Sequence, residues 1–592
     1  MKLRLSVLAL ALSLGLALIF SVSLAVAQPA EPAAGLLDSA AMSNVGQSAA
    51  AGRETLRINL GAYPDLIDPQ KSSFTNEIAH LGLIYEGLTR LDTKLETVHG
   101  AAQSWVYSPD ATVLTFTLRP GLQYSDGTLL NAMRYRYSIL RNIDPTTRGE
   151  YASITDEIVG AIAWRTADIA HLTPEQLAAL KAAVEVRALD AAGNACTSYT
   201  QADCLILRLM FNAPAPYFHT VMSLWVTYPA KEELIAAGGT NWWQLPGYQI
   251  GNGPFVLQTL DPNVRAYFTP NSHYWRGTAT YDVEYRYITD SAQALAAYRS
   301  HQLDIMAPGA ADMSAIRADP ILSKELMTYS GSCSFAVMFH NLKPPFTDPK
   351  VRQAFTYALN REAWARDVLG GGGLPTLTWI PPGYPGYDAA ENRWAYNPVS
   401  ATQAISASSY GSIAALPPIS LTFSSSPRNL SRNQWLADQW RAALGVSLTL
   451  NGVDPTTYTE LTKDVKTAPQ TYILGWCADY PDPQNWLSVY WKTGAFGSRI
   501  GYSNPTLDAL MSQADAKPDP VQRAQLYADA QRMLIADCPV AFMWNNINAF
   551  LVKSRVKGAV TTPQDKWPGG NDPLAITMEP WKKVYLPLVM RN

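Results

Sequence analysis

Gly475-Trp476-Cys477-Ala478-Asp479-Tyr480-Pro481-Asp482-Pro483 is the stretch on which the reading of this chain turns. The apolar run Tyr472-Ile473-Leu474 leads into it and predicts a buried strand. Pro481 and Pro483 then end regular structure. Asp479 therefore stands where a strand leaves a sheet, beside a Trp, a Cys and a Tyr. A carboxylate among aromatics is poorly solvated and stays ionised only beside a cation. Two readings are open from these residues. Either Asp479 and Asp482 cap a turn, or Asp479 awaits a charged partner. The run 472–486 contains no Lys or Arg, so the second reading puts the cation on a ligand.

Strand-like runs recur on either side: Thr55–Leu60, Val113–Leu118, Leu205–Met210, Val283–Ile288, Phe335–Phe339 and Ser447–Leu450. Helices alternate with them. Thr173, Pro174 and Gln176 form a capping box opening a helix to about Val186. Asp348-Pro349 opens another, with Val351, Phe355, Ala358 and Leu359 on one face. Pro520 to Asp537 is a long amphipathic helix. Such interleaving predicts an α/β chain. Residues 161–203 read as an insertion ending in a polar loop. Gly370–Gly373 reads as a flexible joint; no Gly-Lys-Ser/Thr follows it, so it is not a phosphate loop.

The chain has 592 residues, more than one core usually serves, which predicts two or three domains. It is 47% hydrophobic and 16% charged, the composition of a folded soluble protein. Net charge is −3, and loss of Lys2 and Arg4 with a leader would take it from −3 to −5. With no basic stripe, nucleic acid is excluded as a partner. The 17 Trp and 30 Tyr suit either a large core or a cleft that grips ligands by stacking. Lys2, Arg4, the apolar run Leu5–Val26 and Ala25-Val26-Ala27 predict a signal peptide over residues 1–27, cut before Gln28; the alternative is a retained anchor. Residues 28–52, rich in Ala, Ser and Pro, predict a disordered tether. The apolar end 585–590 is either a packed terminus or a sorting tag. Five Cys must be read in an oxidising compartment. Cys196 and Cys204 bracket a polar loop and can bridge locally. Cys333 and Cys477 adjoin predicted strands. Cys538 reads as a buried free thiol.

Phe116-Thr117-Leu118-Arg119-Pro120-Gly121 running on to Tyr124-Ser125-Asp126-Gly127-Thr128 reads as an edge strand, a Pro-Gly turn and an Asp-Gly turn before a helix. This is scaffold chemistry. Its pattern nevertheless resembles a signature of the peptide/nickel group, family 5, of extracellular solute-binding proteins of ABC importers. Further matches follow in the same order: Tyr85-Glu86-Gly87-Leu88, Asn252-Gly253-Pro254-Phe255, Tyr274-Trp275 and Lys343–Arg352. Together they cover about residues 53–555. The resemblance is to the oligopeptide-binding members above all around Cys333–Arg352 and Gly475–Tyr480.

That resemblance implies an α/β, two-lobed, periplasmic-binding-protein-like fold of the three-domain type II class, with a ligand cleft between lobes. It implies lobe I from residues 53–85, 229–332 and 549–592, an extra domain II from 86–228 and lobe III from 333–548. A peptide would lie extended and add a strand to the protein's edge. Gly475 and Cys477 match strand partners on one side of the ligand, with Trp476 between them; Ser73, Phe74 and Thr75 match the other. Tyr151 matches a ligand-touching Tyr, and Asp479 the partner of the ligand's α-amine. Arg428 and Asn429 fall where relatives receive the peptide's other end. Two departures stand out: Ile473 replaces an Arg and Asn429 a His. The resemblance also implies disulfides Cys333–Cys477 and Cys196–Cys204, a monomer, no cofactor or metal, a small peptide ligand, the permease subunits of an ABC importer as partners, and a periplasmic or cell-surface location. Other cargoes known within the fold are nickel chelates, haem, glutathione and oligosaccharide.

An exported hydrolase is the competing class. The seven His include no HExxH, no Gly-x-Ser-x-Gly elbow occurs, and no calcium loop occurs. The sequence therefore predicts binding without catalysis.

Overall fold

The computed structural model describes residues 52–581. The expected signal peptide, almost all of the tether and the apolar end 585–590 lie outside the described residues. Of the described residues, 53–581 belong to one compact unit.

In chain order the strands that matter are β1 Glu54–Asn59, β2 Ala102–Tyr107, β3 Val113–Leu118, β4 Val186–Leu189, β5 Ile206–Met210, β6 Phe255–Asp261, β7 Arg265–Pro270, β8 Tyr281–Arg286, β9 Ile305–Met306, β10 Leu326–Phe339, β11 Gly373–Pro375, β12 Ile419–Ser424, β13 Leu448–Val453, β14 Thr471–Cys477 and β15 Val540–Val552. Eleven of them make one sheet in the order β13-β12-β14-β10-β15-β9-β1-β8-β7-β6, with β11 also on β15. The sheet is mixed: β1 runs parallel to β8 and β9, β12 parallel to β13 and β14, and the rest of the ladder is antiparallel. A separate antiparallel sheet has the order β2-β3-β5-β4.

Two strands, β10 and β15, are long enough to serve both halves of the large sheet. Leu326–Ser330 pairs with Ile547–Leu551, and Ser334–Met338 pairs with Val540–Asn545. Between these runs the register shifts. Asn546 fills the gap: its Oδ1 accepts the Cys333 N–H at 2.8 Å. A Cβ at Gly331 would fall 2.1 Å from the Asn546 side chain, which is why glycine stands there.

Each half has its own core. Leu56, Ile58, Val283 and Tyr285 of the first half share a cluster with Leu114, Phe116 and Leu207 of the four-stranded sheet. The half carrying β14 is packed on both faces. Trp379, Trp486, Trp491 and Phe542 fill one side; Phe339, Phe355, Trp364 and Trp440 fill the other. Seven Trp are essentially inaccessible to solvent. The aromatic content is therefore chiefly core, each such side chain contributing roughly 2–3 kcal/mol by burial.

Some expectations need correction and others gain detail. Val113–Leu118 is an interior strand between β2 and β5, not an edge; Pro120 lies past its end and so costs the ladder nothing. The 161–203 segment supplies β4, the outer strand of that sheet. Its capped helix ends at Ala182, although the capping box forms as read. Gly370–Gly373 is a formed turn, with Gly370 and Gly371 at positive φ, leading into β11. The strand read as Phe335–Phe339 begins at Leu326, and the strand read as Tyr472–Leu474 runs to Cys477. The helix Pro520–Asp537 has the bounds expected.

Candidate functional site

β14 carries the stretch quoted at the outset. Its partner β10 sets the register: Phe335 opposes Gly475, Ser334 opposes Trp476 and Cys333 opposes Cys477. Gly475 is required by close approach, since a Cβ there would meet the Phe335 ring at 2.5 Å. That ring is stacked on Trp544, centroids 4.5 Å apart, and cannot give way cheaply. Cys333 and Cys477 are joined in a disulfide that closes the pair, and Cys196–Cys204 bridges its polar loop. Cys538 is a buried free thiol.

Beyond Cys477 the chain turns, and its two acids part company. Asp482 does cap a helix: its side chain accepts the Gln484 N–H at 2.8 Å and opens Pro483–Trp486. It also binds Arg523 through both oxygens, at 2.7 and 2.8 Å. Asp479 caps nothing. Its Oδ2 accepts from the Asn485 amide at 3.2 Å, while Asn485 Oδ1 receives the Trp476 indole N–H and the Asp479 backbone N–H. Asn485 thus fixes both side chains, and the sequence offered no sign of that role.

Asp479, Gly475, Trp476, Cys477 and Tyr151 line one cavity of about 470 Å³. Tyr151 and Glu157 stand on the segment that precedes the bridge of Ile158 to Phe211, so the cavity's second wall belongs to the four-stranded-sheet region. The Tyr151 ring packs edge-on against Trp225 at 4.9 Å. Burial, then the Asp479 carboxylate, pushes the Tyr151 hydroxyl far above its ordinary range, so it is a donor at every physiological pH.

Five predicted positions lie elsewhere. Ser73 and Phe74 give their backbone N–H groups to Glu77 Oε2, at 2.8 and 3.1 Å, in the cap of helix Thr75–Ile84. Those two donors are taken in this conformation, and Ser73, Phe74 and Thr75 are not in the cavity wall. Arg428 and Asn429 sit in the first turn of helix Pro427–Leu444, also outside that wall; Asn429 donates to Ser424 O at 2.8 Å, and Arg428 is exposed.

The electrostatics correct one inference from sequence. Burial pushes the Asp479 carboxyl up, while Asn485, Tyr151 and the Lys566 ammonium draw it back down. Lys566 is itself lowered by burial and held up by Asp565 and Asp479. The cation absent from run 472–486 therefore does exist, brought from a distant loop. It joins the carboxylate only weakly: no Lys566–Asp479 contact within 4 Å is formed. A ligand cation approaching Asp479 would compete with it. Gln564 of the same loop donates to the Ala478 carbonyl at 3.2 Å and ties the loop to the strand exit. An acid not singled out from sequence, Glu157, also lines the cavity and is pushed up by burial to about 7.

This two-lobed α/β arrangement, with a cavity between walls from different sheets, is that of a periplasmic-binding-protein fold. A family model for bacterial extracellular solute-binding proteins, family 5, matches residues 96–498, and the chain belongs to that family. It is accordingly a periplasmic or cell-surface solute receptor of an ABC importer, and such receptors are not enzymes. The chain is 25% identical over 512 residues to the periplasmic murein peptide-binding protein MppA of Escherichia coli, covering 85% of this chain and 90% of that one. It is 26% identical over 521 residues to the periplasmic oligopeptide-binding protein OppA of Escherichia coli, covering 86% and 90%. The unliganded open form of the MppA murein tripeptide-binding protein superposes with a TM-score of 0.75 at 24% identity, over 89% of this chain and 98% of that one.

Proposed function

We propose that the chain captures peptides in the cavity between β14 and the 150–157 wall, with Asp479 receiving the free α-amine. The observation that supports this most directly is the wall's charge. Glu150, Glu157 and Asp479 line the cavity, and no Lys or Arg does. Such a site selects a cationic group by Coulomb attraction in partly excluded solvent. Trp476, Tyr480 and Phe496 supply apolar area for the body of the ligand. The free backbone edge beside Gly475 and Cys477 suits an extended chain, which gains affinity from main-chain hydrogen bonds whatever its sequence.

The same reading assigns lobe I to residues 53–85, 229–332 and 549–581, the extra domain to 86–228 and lobe III to 333–548. The β10–β15 ladder then joins lobes I and III, and its register break at Gly331 and Asn546 is where they bend. Ser73–Thr75 and Arg428–Asn429 come to the ligand only as the lobes close.

Two measurements test the proposal. Ligand released by denaturing the purified protein should have peptide masses. A tripeptide at a hundred times its dissociation constant should stabilise the protein by about 2.7 kcal/mol, seen as a rise in melting temperature. A rise given by a nickel chelate, haem or an oligosaccharide and by no peptide would overturn it.

A further inference from the structure

One group in the cavity is built for a charge that the α-amine does not supply. Glu157 is held rigidly. Its carbonyl accepts the Asn212 N–H at 2.8 Å, and the next residue bridges to Phe211. Its Oε1 accepts the Tyr217 hydroxyl at 3.0 Å. Its Oε2 is buried and has no hydrogen-bond partner. A buried carboxylate oxygen left unpaired costs free energy that a ligand donor would recover.

The cations around it are engaged elsewhere. Arg165 binds Asp156 at 2.8 and 2.6 Å. Lys492 binds Asp515 at 2.6 Å. Arg523 binds Asp482 through both oxygens. The groups facing Glu157 are thus the Tyr217 hydroxyl, the Tyr480 phenol, whose hydroxyl is given to Gln484, and two acids, Asp156 and Asp515, which raise its carboxyl further after burial itself. Glu150 differs from it in being exposed and solvated. Asp479 differs in having Asn485, Tyr151 and Lys566.

We propose that Glu157 is a specificity-determining residue of the cavity, receiving a basic side chain of the peptide near its amino end. The inference rests on the peptide-binding reading above. The two partly buried carboxylates of a cavity of about 470 Å³ are matched by a ligand with two cationic groups, an α-amine on Asp479 and a lysine, ornithine or arginine head on Glu157. Arrival of that head completes the hydrogen bonding of Oε2 and ionises the acid, a charge-assisted bond in a site of low solvent access. A neutral side chain of the same length leaves the oxygen unpaired and now sealed from water. Discrimination therefore comes from both terms.

The experiment uses the full chain and six tripeptides: Lys-Ala-Ala, Ala-Lys-Ala, Ala-Ala-Lys and their norleucine counterparts. Dissociation constants are measured by titration calorimetry at one slightly alkaline pH and fixed ionic strength. At one position the lysine peptide should bind about tenfold or more tighter than its norleucine counterpart. In Glu157→Gln, which keeps an acceptor for Tyr217, that ratio should fall to within about twofold of unity. Glu157→Asp, which keeps the charge, should retain part of the preference. Binding of all six with no lysine preference overturns this inference alone. So does a preference that survives Glu157→Gln. Failure of all six to bind overturns the peptide reading together with it. Absence of a wild-type preference overturns the inference whether or not the variants fold, and Glu157→Ala, with the same expected loss of the ratio, stands in if Glu157→Gln does not fold.

Discussion

Asp479→Asn removes a charge and little else. The amide has the same size, and its oxygen can still accept from Asn485, now at 3.2 Å. Losing one partner of a desolvated charge pair costs about 2–5 kcal/mol. The structure places the effect in the lower part of that range. Asp479 is half-buried, and Asn485, Tyr151 and Lys566 already satisfy part of its charge. An incoming ammonium therefore replaces existing stabilisation as well as adding to it. The variant also leaves Lys566 facing the ligand's ammonium without an intervening anion. Together these give about 2–3 kcal/mol, or about 30- to 150-fold in dissociation constant. The assay is a cycle: wild type and Asp479→Asn, each with a free and an N-acetylated tripeptide. Acetylation should weaken the wild type by that factor and the variant hardly at all, a coupling of about 2 kcal/mol. Equal effects of acetylation in both proteins, or none in either, would refute the amine anchor. A sugar or chelate would then become the better cargo.

Lys566→Met should tighten binding of a free-amine peptide by about fivefold, roughly 1 kcal/mol of relieved repulsion, and leave the acetylated peptide unaffected; equal or weaker binding in calorimetry would show that Lys566 does not compete. Acid should destabilise the fold through two buried imidazoles. His80 and His219 are both depressed to about 4, by burial first. Around His219 the facing groups are Tyr107, Asp482 and Arg523. A folded-state value below the unfolded 6.5 means stability is present above pH 6.5 and lost as pH falls through the folded value. Each histidine should cost roughly 3 kcal/mol near pH 4. Denaturant titrations should show this slope, and His80→Gln should flatten it; an unchanged slope would remove His80 from the account. The Cys333–Cys477 bridge spans 144 residues. Chain entropy alone assigns it up to about 5 kcal/mol. Replacing both by Ser should therefore lower the denaturant midpoint far more than replacing Cys196 and Cys204. Finding Cys333 alkylated in native, unreduced protein would contradict the bridge.

How much of this was legible depends on where the signal lay. The helix 520–537 and the strand 113–118 follow from local periodicity and end signals, and both were read to the residue. The edge assignment of that strand failed because edges are set by what pairs on either side, and the partner β5 lies far along the chain. The first part of β10, Thr328-Tyr329-Ser330-Gly331-Ser332, looks like a turn by composition. Pairing with β15 overrides that preference. At the site, Asp479 stood out because an acid among aromatics is unusual. Its strand-mates in the cavity came from family resemblance. Lys566 and Glu157 were invisible. Each lies in an irregular segment, and only the fold makes them neighbours of the cavity. Absence of Lys or Arg from a short run was no guide to the charge around Asp479, since electrostatics acts through space.

The separation of the two cavity walls has a consequence for how such a receptor can change. The 150–157 wall falls in the chain between β3 and β4 of the small sheet, remote in sequence from the register break at Gly331 and Asn546 in the two long strands. On the proposed reading, residues facing a ligand's side chains can therefore be exchanged there without remaking the joint or the β14 edge. Glu157 could drift to a neutral or apolar residue in a gene duplicate, and the copy would inherit an intact moving part with a different appetite. One scaffold can in this way found a lineage of receptors that share a motion and divide a nutrient pool among them.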